Sequence, residues 1–161
     1  MTAPAQLAAS LRRTIDGPMW HGPAIRELLI GVDARAAAAR PVVAAHSIWE
    51  LVLHMASWAE ICERRLRGES LGDPDPEGDW PPVPADATAE AWAQAQARVA
   101  SSYERLASAA ESLSAADLAR PVGERGYDAA TMLQGTVEHG AYHGGQIALL
   151  KRALVEPKGS V

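Results

Sequence analysis

Residues 47–68 read SIWELVLHMASWAEICERRLRG, and this stretch decides the fold class. Ser47-Ile48-Trp49-Glu50 is a capping box. The Ser47 hydroxyl can accept from the backbone N–H of Glu50, and the Glu50 carboxylate can reach back to the N–H of Ser47. Behind this start, Ile48, Val52, Met55, Ala59, Cys62 and Leu66 recur at three- and four-residue spacing, bordered by Leu51, Trp58 and Ile61. Arg64, Arg65 and Arg67 suit the negative end of the helix dipole, and Gly68 supplies the stop. A helix with so broad an apolar stripe needs other helices to cover it.

The flanking sequence supplies them. Pro4 to about Ile15 carries Leu7, Leu11 and Ile15 and ends at Gly17-Pro18. The turn Trp20-His21-Gly22-Pro23 leads into a short amphipathic piece, Ala24 to Ile30, and Asp33 caps a further turn before Pro41. From Thr88, Trp92, Gln96, Val99, Tyr103, Leu106, Ala110 and Leu113 form a bundle seam. Ser114 to Asp117 is a capped turn, residues 120–128 are loop, and a last helix runs from about Ala130 to Leu154. Between the second and third long helices, residues 69–87 contain Asp73-Pro74-Asp75-Pro76 and Trp80-Pro81-Pro82-Val83-Pro84. Repeated proline predicts one long crossover loop without helix. No segment alternates over strand length, so the expected fold is all-α: a four-helix bundle with short extra helical turns, forming a single domain over 1–161.

Composition narrows the function classes. The 161 residues are 48% hydrophobic and 22% charged, as in globular proteins. A net charge of −5 without a basic block argues against nucleic-acid binding. A single cysteine, Cys62, excludes an intrachain disulfide and a cysteine-based metal cluster. No stretch approaches the roughly 20 apolar residues of a membrane span, and Met1 to Ser10 lacks the pattern of a signal peptide. The expectation is a cytoplasmic protein that acts on a small molecule.

Five histidines carry the chemistry: His21, His46, His54, His139 and His143. His139 and His143 lie four apart on the last helix, on the face of Ile147, Leu150 and Leu154, so both imidazoles can approach one point. His54 occupies the facing flank of the helix that starts at Ser47. Three imidazoles suit Zn, Ni, Fe or Co, each nitrogen at roughly 2.0–2.1 Å. Spacing alone leaves open a hydrogen-bonded histidine cluster. The zincin motif is missing, since Gly140 stands where its glutamate would follow the first histidine. Gly140, Gly144 and Gly145 interleave with the pair and serve either close packing or room for a ligand.

Three segments carry a resemblance. Ala45 to His54 followed by Trp58, Leu133 to Ile147, and Trp20 to Pro23 are similar, in order and spacing, to the signatures of the DinB/YfiT-like superfamily. The resemblance implies a bundle of up-down-down-up course. It also implies a three-histidine divalent-metal site at His54, His139 and His143, and frequent homodimers. The family it points to includes metal-dependent S-transferases that use low-molecular-weight thiols such as bacillithiol or mycothiol. The expected function is therefore a metal-dependent thiol transferase, with a metal-dependent hydrolase or a non-catalytic metal- or ligand-binding bundle as alternatives.

Other residues are weighed beside these. His21 is a candidate auxiliary group at a pocket mouth, or an ordinary loop histidine. His46 stands about 12 Å before His54 along the helix axis, too far to share its ion. Gln146 and Glu138 could orient an imidazole, with Glu138 better read as solvated. Trp58 and Tyr142 read as core, interface or pocket wall. Cys62 reads as an inert buried thiol. The arginines near Gly68 could hold an anionic group of a thiol.

Overall fold

The computed structural model describes residues 1–154. Residues 155–161 of the expected domain lie outside the described residues. The chain forms α1 Ala3–Asp16, α2 Ile25–Leu29, α3 Ala34–Ala38, α4 Ile48–Leu66, α5 Pro76–Asp79, α6 Ala89–Glu111, α7 Ala115–Leu118 and α8 Ala129–Leu154. No β-strand occurs among the described residues, where pairing is limited to two isolated bridges.

Local signals place the ends of these elements. The capping box forms: the backbone N–H of Glu50 donates to Ser47 Oγ at 3.2 Å, and that of Ser47 donates to Glu50 Oε2 at 2.7 Å. Asp33 accepts from the N–H of Ala36 at 2.8 Å and Asp128 from that of Thr131 at 2.8 Å, starting α3 and α8. The crossover departs from the expected loop, because Pro76–Asp79 closes one helical turn. Proline is tolerated at the first position of a helix, where its missing N–H has no partner to lose. Asp75 then caps the turn by accepting from the N–H of Gly78 at 2.7 Å.

The four long helices form a ring in which α1 and α4 each pack against both α6 and α8. Side-chain pairs give the directions. Trp49 meets Trp92, Glu60 meets Arg98 and Glu63 meets Arg105, so α4 and α6 run parallel. His54 meets His143 while Cys62 meets Thr136, so α8 runs against α4. Gly140 sits beside Thr14 and Tyr103, whereas Arg12 reaches Glu104 and Glu111, so α1 runs against α6. The course is up-down-down-up.

That course explains the long crossover. The 19 residues of α4 rise about 28 Å, and a parallel α6 cannot begin until the chain has come back along that length. The interior is filled by Leu11, Ile48, Trp49, Met55, Tyr103, Leu106, Leu133 and Ile147, all essentially without solvent contact. The stripe from Ile48 to Leu66 is buried as its spacing predicts. On its return the crossover lies across the seam between α4 and α8, where the histidines face each other.

Candidate metal centre

Helix α4 supplies His54, buried within its apolar face. The crossover is pinned above it by three consecutive anchors. Ser57 Oγ donates to the carbonyl of Gly78, Trp58 Nε1 donates to Asp79 Oδ1 at 2.7 Å, and His54 Nδ1 lies 2.6 Å from the backbone carbonyl of Asp79. A carbonyl can only accept, so His54 Nδ1 carries the proton and Nε2 keeps its lone pair. The next residue, Trp80, is sandwiched between two imidazoles. Its ring lies 3.8 Å from that of His54 and 3.5 Å from that of His46, nearly parallel to both.

Helix α8 supplies His139 and His143, one turn apart. His143 Nδ1 donates to Gln146 Oε1 at 2.6 Å, which again leaves Nε2 as the unprotonated nitrogen. The three Nε2 atoms converge. That of His139 is 3.0 Å from that of His54 and 2.9 Å from that of His143. All three candidate ligand atoms lie within 4.8 Å of one another, and this group could hold a metal ion.

Burial keeps the cluster neutral. Desolvation lowers the pKa of His54 and of His143, against the pull of Asp79 on the first and of Gln146 on the second. His139 is lowered to about 3 by burial and by its two imidazole neighbours. Neutral imidazoles are the ligating form.

Hydrogen bonding alone does not satisfy this arrangement. Two of the three Nε2 atoms are acceptors with fixed tautomers, and His139 Nε2 has one proton at most. It can serve one neighbour and must then face the other at contact distance. A cation satisfies all three at once. Two nitrogens at about 2.1 Å from one ion and at a right angle stand about 3.0 Å apart, which matches both measured separations. The donor set therefore fits a divalent ion bound through three imidazoles, with the other nitrogens of His54 and His143 held by the carbonyl of Asp79 and the amide of Gln146.

The family model described as the DinB superfamily matches residues 20–147, which span α2 to most of α8 and include all three converging histidines. The chain belongs to the DinB superfamily. No curated protein and no solved structure matches it.

In this DinB-superfamily chain the imidazoles of His54 and His139 open onto a cavity of about 540 Å³ between α4 and α8. Because the two helices are antiparallel, its wall has an order. His54, Trp58, Cys62 and Arg65 follow one another along α4, while His139, Thr136, Met132 and Thr131 follow along α8. Asp79, Trp80 and Tyr127 complete the wall from the loops.

The remaining sequence candidates separate clearly. His21 is exposed and lies outside the converging group, beside Gly140 and Gly144 on the α1–α2 side of α8. His46 stays out of the cluster but stacks on Trp80. Glu138 is exposed and accepts from Gln134, whereas Gln146 orients His143. Cys62 is buried, its pKa is raised by that burial, and it accepts from Thr136 Oγ1 at 3.4 Å. The glycines serve packing at two of three positions. A Cβ on Gly140 would meet Thr14 Cγ2 at 2.3 Å and one on Gly144 would meet Ile25 Cδ1 at 3.3 Å, while Gly145 faces open space. Sequence reasoning missed Asp79 and Trp80. The available signal was an aromatic residue within a proline-rich crossover, where neither packing periodicity nor turn formation calls for one.

Proposed function

We propose that this chain is one catalytic domain, a divalent-metal-dependent transferase of the cytoplasm that activates a low-molecular-weight thiol. His54, His139 and His143 hold the metal in this reading. The observation that supports it is the convergence of three Nε2 atoms, two of them stripped of their protons by fixed partners. When bound, a divalent cation there supplies the charge that makes a coordinated thiol a thiolate near neutral pH.

The chain's own residues supply the rest. Three protein ligands leave coordination positions for substrate. Trp58, Trp80 and Met132 give the cavity an apolar wall beside the reacting group, and Trp80 stacks over His54. Hydrolysis is the weaker reading. A metal-bound water can ionise without a protein base, but the one carboxylate on the cavity wall that could assist it, Asp79, is engaged through Oδ1 by Trp58 and lies 3.3 Å from His54 Nδ1. Exposed Val43, Tyr142 and Leu149 favour a homodimer, because Tyr142 and Leu149 flank a groove that also contains Val42 and Leu150.

The test is metal analysis of untagged protein, followed by incubation with a panel of thiols and monochlorobimane. Stoichiometric metal that is lost in His139→Ala, together with metal-dependent conjugation, is the expected result. Metal content unchanged by that substitution overturns the site. Bound metal with no conjugation across the panel overturns the transferase.

A further inference from the structure

Three arginines crowd the end of α4, and two of them are paired. Arg64 binds Glu69 and Arg67 binds Glu63. Arg65 differs from both. Only 5% of it is exposed, and its partners are neutral: the carbonyl of Gly72 at 2.8 Å, Tyr127 Oη at 3.4 Å, and the Trp58 ring, whose centroid is 5.7 Å away. Its Nε has no partner among the described residues. Asp73, two residues before the cap of α5, is bonded to Arg125 and feels Arg65 only as a weaker, unbonded charge. A buried cation with no carboxylate bonded to it is expensive, and a ligand that completes the pair would offset that cost.

The location of Arg65 says which ligand. It lines the same cavity as His54 and His139, eleven positions after His54 on α4. Eleven residues make about three full turns and about 16 Å of axis, so His54 and Arg65 share one face at opposite ends of the channel. Between them the wall is Trp58, Cys62, Met132 and Thr136. We propose that Arg65 is a binding residue for a carboxylate at the far end of an elongated substrate, whose middle is apolar and whose other end meets the imidazoles. The planar guanidinium fork suits a carboxylate in particular. This deepens the transferase reading by giving its substrate class. It rests on that reading only for what meets the imidazole end.

The experiment avoids the metal, so the two proposals fail separately. Protein stripped with EDTA is titrated calorimetrically at pH 8 with octanoate, 1-octanol and octylamine. The expected result is octanoate binding about tenfold or more tighter than octanol, with octylamine weakest. In Arg65→Gln, octanoate falls to the level of octanol, with circular dichroism confirming the fold. Should that variant fail to fold, Arg65→Lys decides. A drop of about threefold or more in octanoate affinity, with octanol unchanged, supports the assignment, since lysine keeps the charge but not the fork. Equal binding of octanoate and octanol to the wild-type protein overturns it. So does an undiminished carboxylate preference in folded Arg65→Gln, or in Arg65→Lys where that variant decides.

Discussion

The indole of Trp80 lies flat on the imidazole of His54, 3.8 Å between ring centroids and 8° from parallel. Its other face carries His46, so one crossover residue joins the start of α4 to the imidazole end of the cavity. The peptide before it holds the His54 tautomer through the carbonyl of Asp79. Trp80→Ala should therefore loosen that carbonyl and lower metal affinity about tenfold or more, the usual effect of losing a support of a ligand. Trp80→Phe should keep most of it. Competition against a chromophoric chelator measures both. Equal affinity in Trp80→Ala and wild-type protein would show that the stack covers the site without shaping it.

Gln146 offers a second, independent handle. Its amide oxygen accepts from His143 Nδ1 at 2.6 Å and so exposes the Nε2 lone pair. Gln146→Leu removes the acceptor, and metal affinity should fall by about 10–100-fold while the helix content stays the same. Gln146→Glu restores an acceptor and should recover most of the loss. The same chelator competition reads the pair.

The glycines of α8 predict opposite signs at neighbouring positions. Gly140→Ala drives a methyl to 2.3 Å from Thr14 Cγ2, and the tight seam between α1 and α8 should lose about 1–3 kcal/mol. Gly145→Ala meets nothing within 4 Å and should gain up to about 1 kcal/mol from helix propensity. Urea unfolding of the two variants beside the wild type gives the comparison. Destabilisation in both would mean that Gly145 has a role other than a tolerated small residue.

How much of this was legible beforehand depends on the range of the interaction. The helices were, because the capping box at Ser47, the Asp33 cap and the stripe from Ile48 to Leu66 are local signals within one or two turns. The pairing of His139 with His143 was legible for the same reason, since four residues make a face. The contribution of Asp79 was not. It acts through a backbone carbonyl, which every residue has, and it reaches His54 only because parallel α4 and α6 force the crossover back over the bundle. The α5 turn was missed because proline was read only as a breaker, and Pro76 stands at the one helical position where it is welcome. Arg65 could be seen as one of three arginines, but which of them lacked a carboxylate depended on Glu63 and Glu69 choosing the other two.

The cap of α4 gives stability a pH dependence. Burial alone would raise the pKa of Glu50, but the Ser47 backbone N–H, the Ser47 hydroxyl and Arg40 together hold it below the ordinary glutamate value. A carboxyl depressed in the folded state binds its proton more readily when unfolded. Its contribution is thus complete above the unfolded pKa, near 4.3–4.5, and drains away as pH falls through the lower folded value. Glu50→Gln keeps an acceptor for the Ser47 N–H but loses the charge, and should cost about 0.5–1 kcal/mol at pH 7. Its deficit relative to wild type should shrink toward zero below that window, because protonated Glu50 no longer offers a carboxylate to Ser47 and Arg40. Urea unfolding of both proteins from pH 7 down to pH 3 measures the gap. A gap that stays constant across the range would mean the charge of Glu50 contributes nothing to holding the start of α4.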